Sequence, residues 1–354
     1  MNILLLCTDA FGGYGGIALY NRDLASALAQ LPNRGEIVIL PRIIPNAVGP
    51  LPEGVTFVEA AARGQFAYAR ELTRLTRRTR FDLVICAHMN LLPLARLAAK
   101  DPLLFAYGIE AWRPRRRSSN VLVHHSRGVV AISDLTRSRL VSWSKYAGPT
   151  FVLPNAIHAE QYGIRPKRPD LVERYRLSGK RVVLTVGRID WSERYKGFDE
   201  IIEILSALPN DVVYLIAGGG SDMQRLQRKA LALGVGDRVR FTGIFAEEEK
   251  PDLFTLADVY AMPSRGEGFG YVILEAIASG VPVIASKHDG GREAVLDGKL
   301  GTLVDPSNPA EIRTAITDAL ESRERTIPAG LDYFAFERFT ERVHAIIAEV
   351  TAQR

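Results

Sequence analysis

The chain has 354 residues, of which 47% are hydrophobic and 24% are charged. These values are ordinary for a soluble globular protein, and the length suggests two domains at roughly 100–200 residues each. No apolar stretch reaches the ~20 residues that a membrane-spanning helix needs, and the start MNILLLC lacks the features of a signal peptide. A cytoplasmic location is therefore expected.

The formal charge of +5 is unevenly distributed along the chain. Residues 1–154 contain 19 basic and 10 acidic residues, whereas the remainder contains 26 basic and 30 acidic residues. The basic part includes two arginine clusters, Arg74, Arg77, Arg78 and Arg80, then Arg113, Arg115, Arg116 and Arg117. Either these form a solvated basic face, or they meet an anionic membrane surface or a phosphate-bearing acceptor. Nucleic acid is not expected, because no helix-turn-helix, zinc-ligand or RNP pattern is present.

Short apolar runs alternate with helical stretches along the chain. The first half contains the runs NILLLC, EIVIL, VTFVEA, DLVICAH, LLFAYG, GVVAIS and FVLPN, and the second half contains RVVLTVGR, VVYLIAGGG, RVRFTG, DVYAMPS and VPVIAS. Runs of Val, Ile and Leu without polar alternation are typical of parallel strands covered on both faces. The pattern therefore predicts two Rossmann-like, doubly wound α/β domains. Cys7 and Cys86 lie inside such runs and are expected to be buried, which fits a reducing compartment.

The division between the two domains is expected after Asn155. We predict a first domain over 1–155, a linker over 156–178, a second domain over 179–332, and a final amphipathic helix over 333–354. In that last segment Phe334, Phe336 and Phe339 are expected to anchor in the core.

Three segments that follow predicted strands leave their role open. The loop Phe11–Ile17, FGGYGGI, opens a helix and could serve NAD, a phosphate or only a tight turn. An NAD site of the Rossmann type has an acidic residue at the end of the second strand, but that strand ends here in Pro41-Arg42. His88 follows the strand Asp82–Ala87 and could simply be a loop residue. Arg188 and Lys196 follow another strand and could bind a diphosphate, or pair at the surface with Asp190 or Glu193.

The segment Met262–Pro282 reads as a strand end, a glycine-rich loop and a short helix. The helix would present free N–H groups near Tyr271 and Val272, which suits a phosphate. Glu267 precedes the helix, and Glu275 lies roughly 7 Å along its axis from that end. Carboxylates on either side of a phosphate could accept hydrogen bonds from a sugar and a ribose. Alternatively, Glu267 caps the helix and Glu275 is a solvated helix residue.

This segment resembles the retaining glycosyltransferases of family 4, which have the GT-B fold. The resemblance rests on a Glu-x7-Glu pattern inside a PSxGEGFG…LEAxAxGxPVI frame, and further matches extend along most of the chain. It implies a GT-B architecture, with two Rossmann-like domains facing a cleft and a C-terminal helix crossing back to the first domain.

The resemblance also implies roles for individual residues. Glu267 would contact hydroxyls of the donor sugar, Glu275 would hold the ribose, and Arg188 and Lys196 would bind the diphosphate. His88 would face the donor sugar and count, with Glu267, Arg188 and Lys196, among the catalytic residues. The remaining donor-binding residues would be Gly15, Gly16, Gly243, Gly268, Phe269, Gly270, Tyr271 and Val272. An acceptor is expected near Tyr14, Tyr107, Glu110 and Arg113, although Tyr107 replaces the family's usual histidine.

The sequence therefore predicts a hexosyltransferase with a nucleotide-sugar donor of the GDP-mannose or UDP-glucose type. The acceptor would be a saccharide or a lipid-linked saccharide, the configuration at the anomeric carbon would be retained, and no cofactor or metal is expected. Peripheral contact with the inner face of the membrane is expected through the basic domain. The alternatives are another GT-B activity such as an epimerase or phosphorylase, a catalytically silent nucleotide-sugar-binding protein, or a nicotinamide oxidoreductase.

Overall fold

The computed structural model of the chain describes residues 1–114, 118–322 and 325–352. The chain divides into two compact units. The first comprises Met1–Ala156 together with the residues from Phe336 onward, and the second comprises Ile157–Ala335. Arg115, Arg116 and Arg117 of the second arginine cluster lie outside the described residues.

The first unit is built on a parallel sheet of seven strands. These are β1 (Ile3–Cys7), β2 (Ile37–Pro41), β3 (Val55–Phe57), β4 (Leu83–Ala87), β5 (Leu103–Ala106), β6 (Gly128–Ala131) and β7 (Thr150–Val152). Its connecting helices are α1 (Gly16–Ala29), α2 (Gln65–Arg78), α3 (Leu92–Ala98), α4 (Ser118–His124) and α5 (Asp134–Ser144). The strand order β3-β2-β1-β4-β5-β6-β7 reverses between β1 and β4. In a doubly wound sheet of this kind, ligands bind beyond the carboxyl ends of the strands.

The second unit repeats the same plan with six parallel strands. These are β8 (Arg181–Val186), β9 (Val212–Ala217), β10 (Val239–Phe241), β11 (Val259–Met262), β12 (Val283–Ser286) and β13 (Thr302–Val304). The helices are α6 (Pro169–Arg174), α7 (Phe198–Ile204), α8 (Met223–Ala232), α9 (Lys250–Leu256), α10 (Tyr271–Ala278), α11 (Gly291–Ala294) and α12 (Pro309–Glu321). The order β10-β9-β8-β11-β12-β13 reverses between β8 and β11. The prediction of two parallel, doubly wound sheets is confirmed.

Two local features differ from the sequence-based expectation. Strand β13 was not predicted, because its apolar run is only Leu303 and Val304, between Thr302 and Asp305. The segment 156–178, expected to be a linker, contains a 3-10 turn over Ala159–Gln161 and the short helix α6.

The final helix, α13 (Phe336–Ala352), packs on α1 of the first unit. The ring of Phe339 meets that of Tyr20 edge-on at a centroid distance of 5.4 Å, and His344 Nε2 lies 2.9 Å from the carbonyl oxygen of Ala27. The predicted return of the last helix is therefore confirmed. Phe334 is buried but belongs to the second unit, where it packs against Phe269.

The interior strands are as apolar and as buried as the sequence predicts. Every residue of β1 is fully buried, and so are Cys7 and Cys86. Burial raises the pKa of the Cys86 thiol to about 12, so the thiol stays protonated at neutral pH. No helix in the described ranges is both long and apolar enough to cross a membrane.

Candidate active site

The loop between β11 and α10 on the second unit forms the centre of the candidate site. Gly270 precedes α10 with φ of +97°, a conformation that disfavours an L side chain, and a Cβ there would lie 3.0 Å from Ile273 Cδ1. The glycine turns the chain sharply, so that α10 begins at Tyr271. The N-terminus of the helix carries the positive end of its dipole. This arrangement can bind an anion such as a phosphate.

Glu267 lies half-buried in this loop, just before the helix. Its Oε1 accepts a hydrogen bond from the amide of Gly268, at 3.2 Å. Burial raises the pKa of the Glu267 carboxyl, and the ammonium of Lys196 opposes that shift. Backbone contacts therefore hold the carboxyl group against its own loop, and the charge of Lys196 stabilises its ionised form.

Glu275 is enclosed by protein rather than solvated, with a side chain only 1% exposed. Lys250 Nζ lies 2.7 Å from its Oε1 and also pairs with Glu247. The hydroxyl of Tyr162 also hydrogen-bonds to this carboxylate. Burial raises the pKa of Glu275, while Lys250 and the hydroxyl of Tyr162 oppose the shift. The solvated-helix alternative is therefore wrong.

The two predicted cations share one acidic partner. Arg188, whose side chain is 72% exposed, pairs with Glu193, and Lys196 Nζ lies 2.8 Å from Glu193 Oε2. Pairing with Glu193 is thus observed, at the surface for Arg188 but largely buried for Lys196, whose side chain is 14% exposed. Asp190 instead accepts hydrogen bonds from Ser192. The pairing leaves a diphosphate role open, because a bound diphosphate could replace the glutamate as the partner of either cation.

The other donor candidates of the second unit differ in what they can offer a ligand. The Phe269 side chain is 1% exposed and packs against Phe334 at a centroid distance of 5.5 Å, which leaves its backbone for a ligand. Tyr271 is 7% exposed, and Val272 is half-buried. Gly243 has φ of +71°, and no atom lies within 4 Å of the position a Cβ would take.

Asp289 is a carboxylate in this region that the sequence analysis did not single out. It follows β12, is 3% exposed, and accepts a hydrogen bond of 2.5 Å from the hydroxyl of Ser264. Burial raises its pKa to about 7, although the Ser264 hydroxyl and the amide of Glu267 favour the ionised form. The only sequence signal is a polar residue before two glycines at a strand end, which is too common to be diagnostic.

On the first unit, the glycine loop and His88 follow β1 and β4. Gly15 precedes α1 with φ of +86° and open space around its Cβ position, Gly16 is the first helical residue, and Tyr14 is 67% exposed. His88 is 8% exposed, and its Nδ1 accepts a hydrogen bond of 3.1 Å from the amide of Asn90. This bond places the proton of the neutral imidazole on Nε2.

The predicted acceptor residues after β5 are partly engaged in the first unit's own structure. Tyr107 is 6% exposed and donates a 2.7 Å hydrogen bond to Asn21 Oδ1, so a contact with an acceptor would require that bond to open. Glu110 Oε1 accepts a hydrogen bond of 2.5 Å from the amide of Tyr107. Arg113 is exposed.

The chain has two doubly wound parallel units. The second unit carries Arg188 and Lys196, and a helix with Glu267 before it and Glu275 within it. These features are typical of the class of GT-B glycosyltransferases. The chain matches the models of two families over most of its length. Residues 14–161 match Glycosyltransferase Family 4, and residues 168–329 match Glycosyl transferases group 1. The chain belongs to glycosyltransferase family 4.

Similar proteins agree with this assignment. A GDP-mannose-dependent alpha-(1-6)-phosphatidylinositol monomannoside mannosyltransferase of Mycolicibacterium smegmatis is 36% identical over 255 residues, which is 68% of this chain and 66% of that protein. Sucrose-phosphate synthase from Thermosynechococcus elongatus has a TM-score of 0.80 at 20% identity, and covers 100% of both chains. Anabaena HepE in complex with UDP and glucose has a TM-score of 0.74 at 23% identity, also over 100% of both chains. The two structures support the GT-B fold alone.

Proposed function

We propose that the chain transfers a mannosyl residue from GDP-mannose to a lipid-borne acceptor, with retention of configuration at the anomeric carbon. The observation that carries the transferase assignment is the grouping, at the carboxyl ends of β8 and β11, of Arg188, Lys196, Glu267 and the start of α10. The donor and the lipid acceptor are supported by the mycobacterial relative, which is GDP-mannose-dependent and acts on a phosphatidylinositol mannoside.

The chemistry follows from the charges around the loop. During transfer the bond between the anomeric carbon and the diphosphate oxygen breaks, and a bond to the acceptor hydroxyl oxygen forms on the same face. The acceptor proton passes to the departing diphosphate oxygen. Arg188, Lys196 and the N-terminus of α10 stabilise the negative charge that grows on the leaving group. Glu267 orients the sugar through its hydroxyls, and Glu275 accepts a hydrogen bond from the ribose.

The first unit offers a surface suited to an acceptor held in an anionic membrane. The solvent-facing side of α2 carries Phe66, which is 93% exposed, and Arg77 and Arg78, for which no ion pair is found among the described residues. Phe66 lies at the start of α2 and the two arginines at its end. An exposed aromatic side chain on the same helix as arginines can insert into the headgroup region while the cations meet lipid phosphates. We place the acceptor side of the reaction at such a surface.

The donor is tested by titrating the purified chain with GDP-mannose and UDP-glucose, followed by transfer assays with phosphatidylinositol mannoside as the acceptor. We expect GDP-mannose to bind more tightly and to yield a mannosylated lipid that is seen by mass spectrometry. Glu267→Gln should lose transfer, whereas Glu203→Gln, a change at an exposed carboxylate on α7, should not. Preference for UDP-glucose would contradict the donor assignment, and the binding of neither would contradict the proposed function.

The membrane surface is tested by sedimentation with vesicles of phosphatidylcholine alone or mixed with phosphatidylinositol. A basic residue near an anionic surface contributes about 1 kcal/mol, so Arg77→Gln with Arg78→Gln should weaken binding to the anionic vesicles by roughly 30-fold. The paired change Arg228→Gln with Arg313→Gln removes the same charge from exposed positions of the second unit. Equal loss of binding in both double variants would refute the assignment of the surface to α2.

A further inference from the structure

Asp289 lies in the segment after β12 but forms two of its hydrogen bonds with the loop that contains Glu267. Its Oδ2 accepts hydrogen bonds from the Ser264 hydroxyl, at 2.5 Å, and from the amide of Glu267, at 2.9 Å. Its Oδ1 accepts from the amide of Gly291, at 3.0 Å. One buried carboxylate therefore joins the start of the loop after β11 to the segment after β12.

The residue after Asp289 completes the contact. The amide of Gly290 donates to the carbonyl oxygen of Glu267 at 2.9 Å, so both backbone polar groups of Glu267 are bound by consecutive residues of the neighbouring segment. A Cβ at Gly290 would lie 2.0 Å from the carbonyl oxygen of Gly268, so the two segments approach as closely as a glycine allows. Glycines flank Glu267 in its own loop, and Arg265 ties the start of the loop to the carbonyl oxygens of Tyr195 and Pro306, but the backbone of Glu267 itself is held by this neighbouring segment.

We propose that Asp289 is a positioning residue for the transfer reaction, holding the backbone of Glu267 in the place from which its side chain orients the donor sugar. The inference rests on the proposed function of Glu267. Asp289 acts through the Ser264 hydroxyl and the amide of Glu267, without touching the donor. Catalytic groups are productive only within narrow limits, and a displacement of about 1 Å can lower turnover by 10²-fold.

This role separates Asp289 from a residue that only stabilises the unit. The diphosphate contacts proposed for Arg188 and Lys196 come from other segments, after β8, and the hydrogen bonds of Asp289 go to Ser264, Glu267 and Gly291 instead. Loss of Asp289 should therefore reduce transfer much more than it reduces the binding of GDP. A purely structural role would weaken both together, in proportion to the loss of stability.

The test compares Asp289→Ala with Asp258→Ala in the full chain. Asp258 is a matched control, because it also accepts a backbone amide, that of Val182 at 2.7 Å, but lies at the opposite end of β11. We expect Asp289→Ala to lower kcat by roughly 10–100-fold while the Kd for GDP stays within about threefold. Asp258→Ala should keep kcat near the wild-type value. Unchanged kcat in Asp289→Ala, or parallel loss of turnover and GDP binding, would overturn the proposal.

Hydrogen exchange of the peptide 263–270 supplies a readout that needs no donor. Asp289→Ala should speed exchange in this peptide several-fold, whereas Asp258→Ala should leave it at the wild-type rate. Faster exchange in a chain that transfers no sugar would support the restraint on Glu267 and contradict only the proposed function. Unchanged exchange would overturn the restraint itself.

Discussion

Replacing Lys250 with methionine should leave the carboxylate of Glu275 buried without its countercharge. The Lys250 side chain is 12% exposed, the Glu275 side chain is 1% exposed, and their charged atoms are 2.7 Å apart. Breaking a buried ion pair by removing one partner costs about 3–5 kcal/mol. At about 2–4 °C per kcal/mol for a unit the size of Ile157–Ala335, the melting temperature should fall by roughly 6–20 °C.

The loss should depend on pH with a defined sign. Burial already raises the pKa of Glu275, with Lys250 and Tyr162 opposing and Glu247 adding to the shift. A carboxyl whose pKa is raised on folding binds its proton more tightly in the folded state, so its contribution to stability is lost as the pH rises from its unfolded pKa through its folded pKa. Lys250→Met removes the main opposing charge. The destabilisation should therefore be large at pH 8 and shrink as the pH falls towards 5.

Differential scanning calorimetry at several pH values, with a double-mutant cycle, checks the argument. Lys250→Met combined with Glu275→Gln should melt above Lys250→Met alone at pH 8, because no buried charge is left unpaired. Lys229→Met is the control, since its partner Asp199 keeps an ion pair with Arg225. The reasoning is refuted if both lysine variants melt alike, or if the second substitution recovers nothing.

Other predictions follow from the same segments. Gly290→Ala should abolish most transfer and cost about 1–3 kcal/mol of stability, measured by activity and thermal melting, because the Cβ would meet the carbonyl of Gly268. Lys196→Ala should lower kcat by roughly 10–150-fold in steady-state assays, the equivalent of a charge-assisted bond of about 1.5–3 kcal/mol. Glu193→Gln should tighten GDP binding in calorimetric titrations at low salt, because it frees Arg188 and Lys196 of a competing anion. Weaker GDP binding by Glu193→Gln would contradict the idea that the diphosphate replaces Glu193 as the partner of these two cations.

The sheets could be predicted from the sequence because parallel strands covered on both faces need long apolar runs. The run ILLLC gave β1 with all five residues buried, and RVVLTV gave β8. Strand β13 carries no such signal, because only Leu303 and Val304 are apolar and Thr302 is exposed. The return of α13 to the first unit followed from the family resemblance rather than from its pattern.

The residues of the candidate site were predicted where they share one short frame or where the family resemblance supplied them, as for Arg188 and Lys196. Glu267, Gly270 and Glu275 fall within one short frame, and the position of Gly270 directly before an apolar run predicted the start of α10. Lys250 reaches Glu275 from the start of α9, and Asp289 reaches Glu267 from the far side of β12. Such pairs form when the sheet brings strand ends together, and a single sequence does not show which distant residues then lie within hydrogen-bonding distance.

The structure changes how the predicted charges should be understood. Arg188 and Lys196 meet Glu193, and Glu275 meets Lys250, so each of these groups has an internal partner of opposite charge. An unpaired buried charge would cost several kcal/mol, which explains the partner of Glu275 but not that of the exposed Arg188. Under the proposed function, the donor diphosphate would replace Glu193 as the partner of Arg188 and Lys196. Its affinity would then depend on the difference between two sets of ion pairs, so Glu193 would affect donor binding without touching the donor.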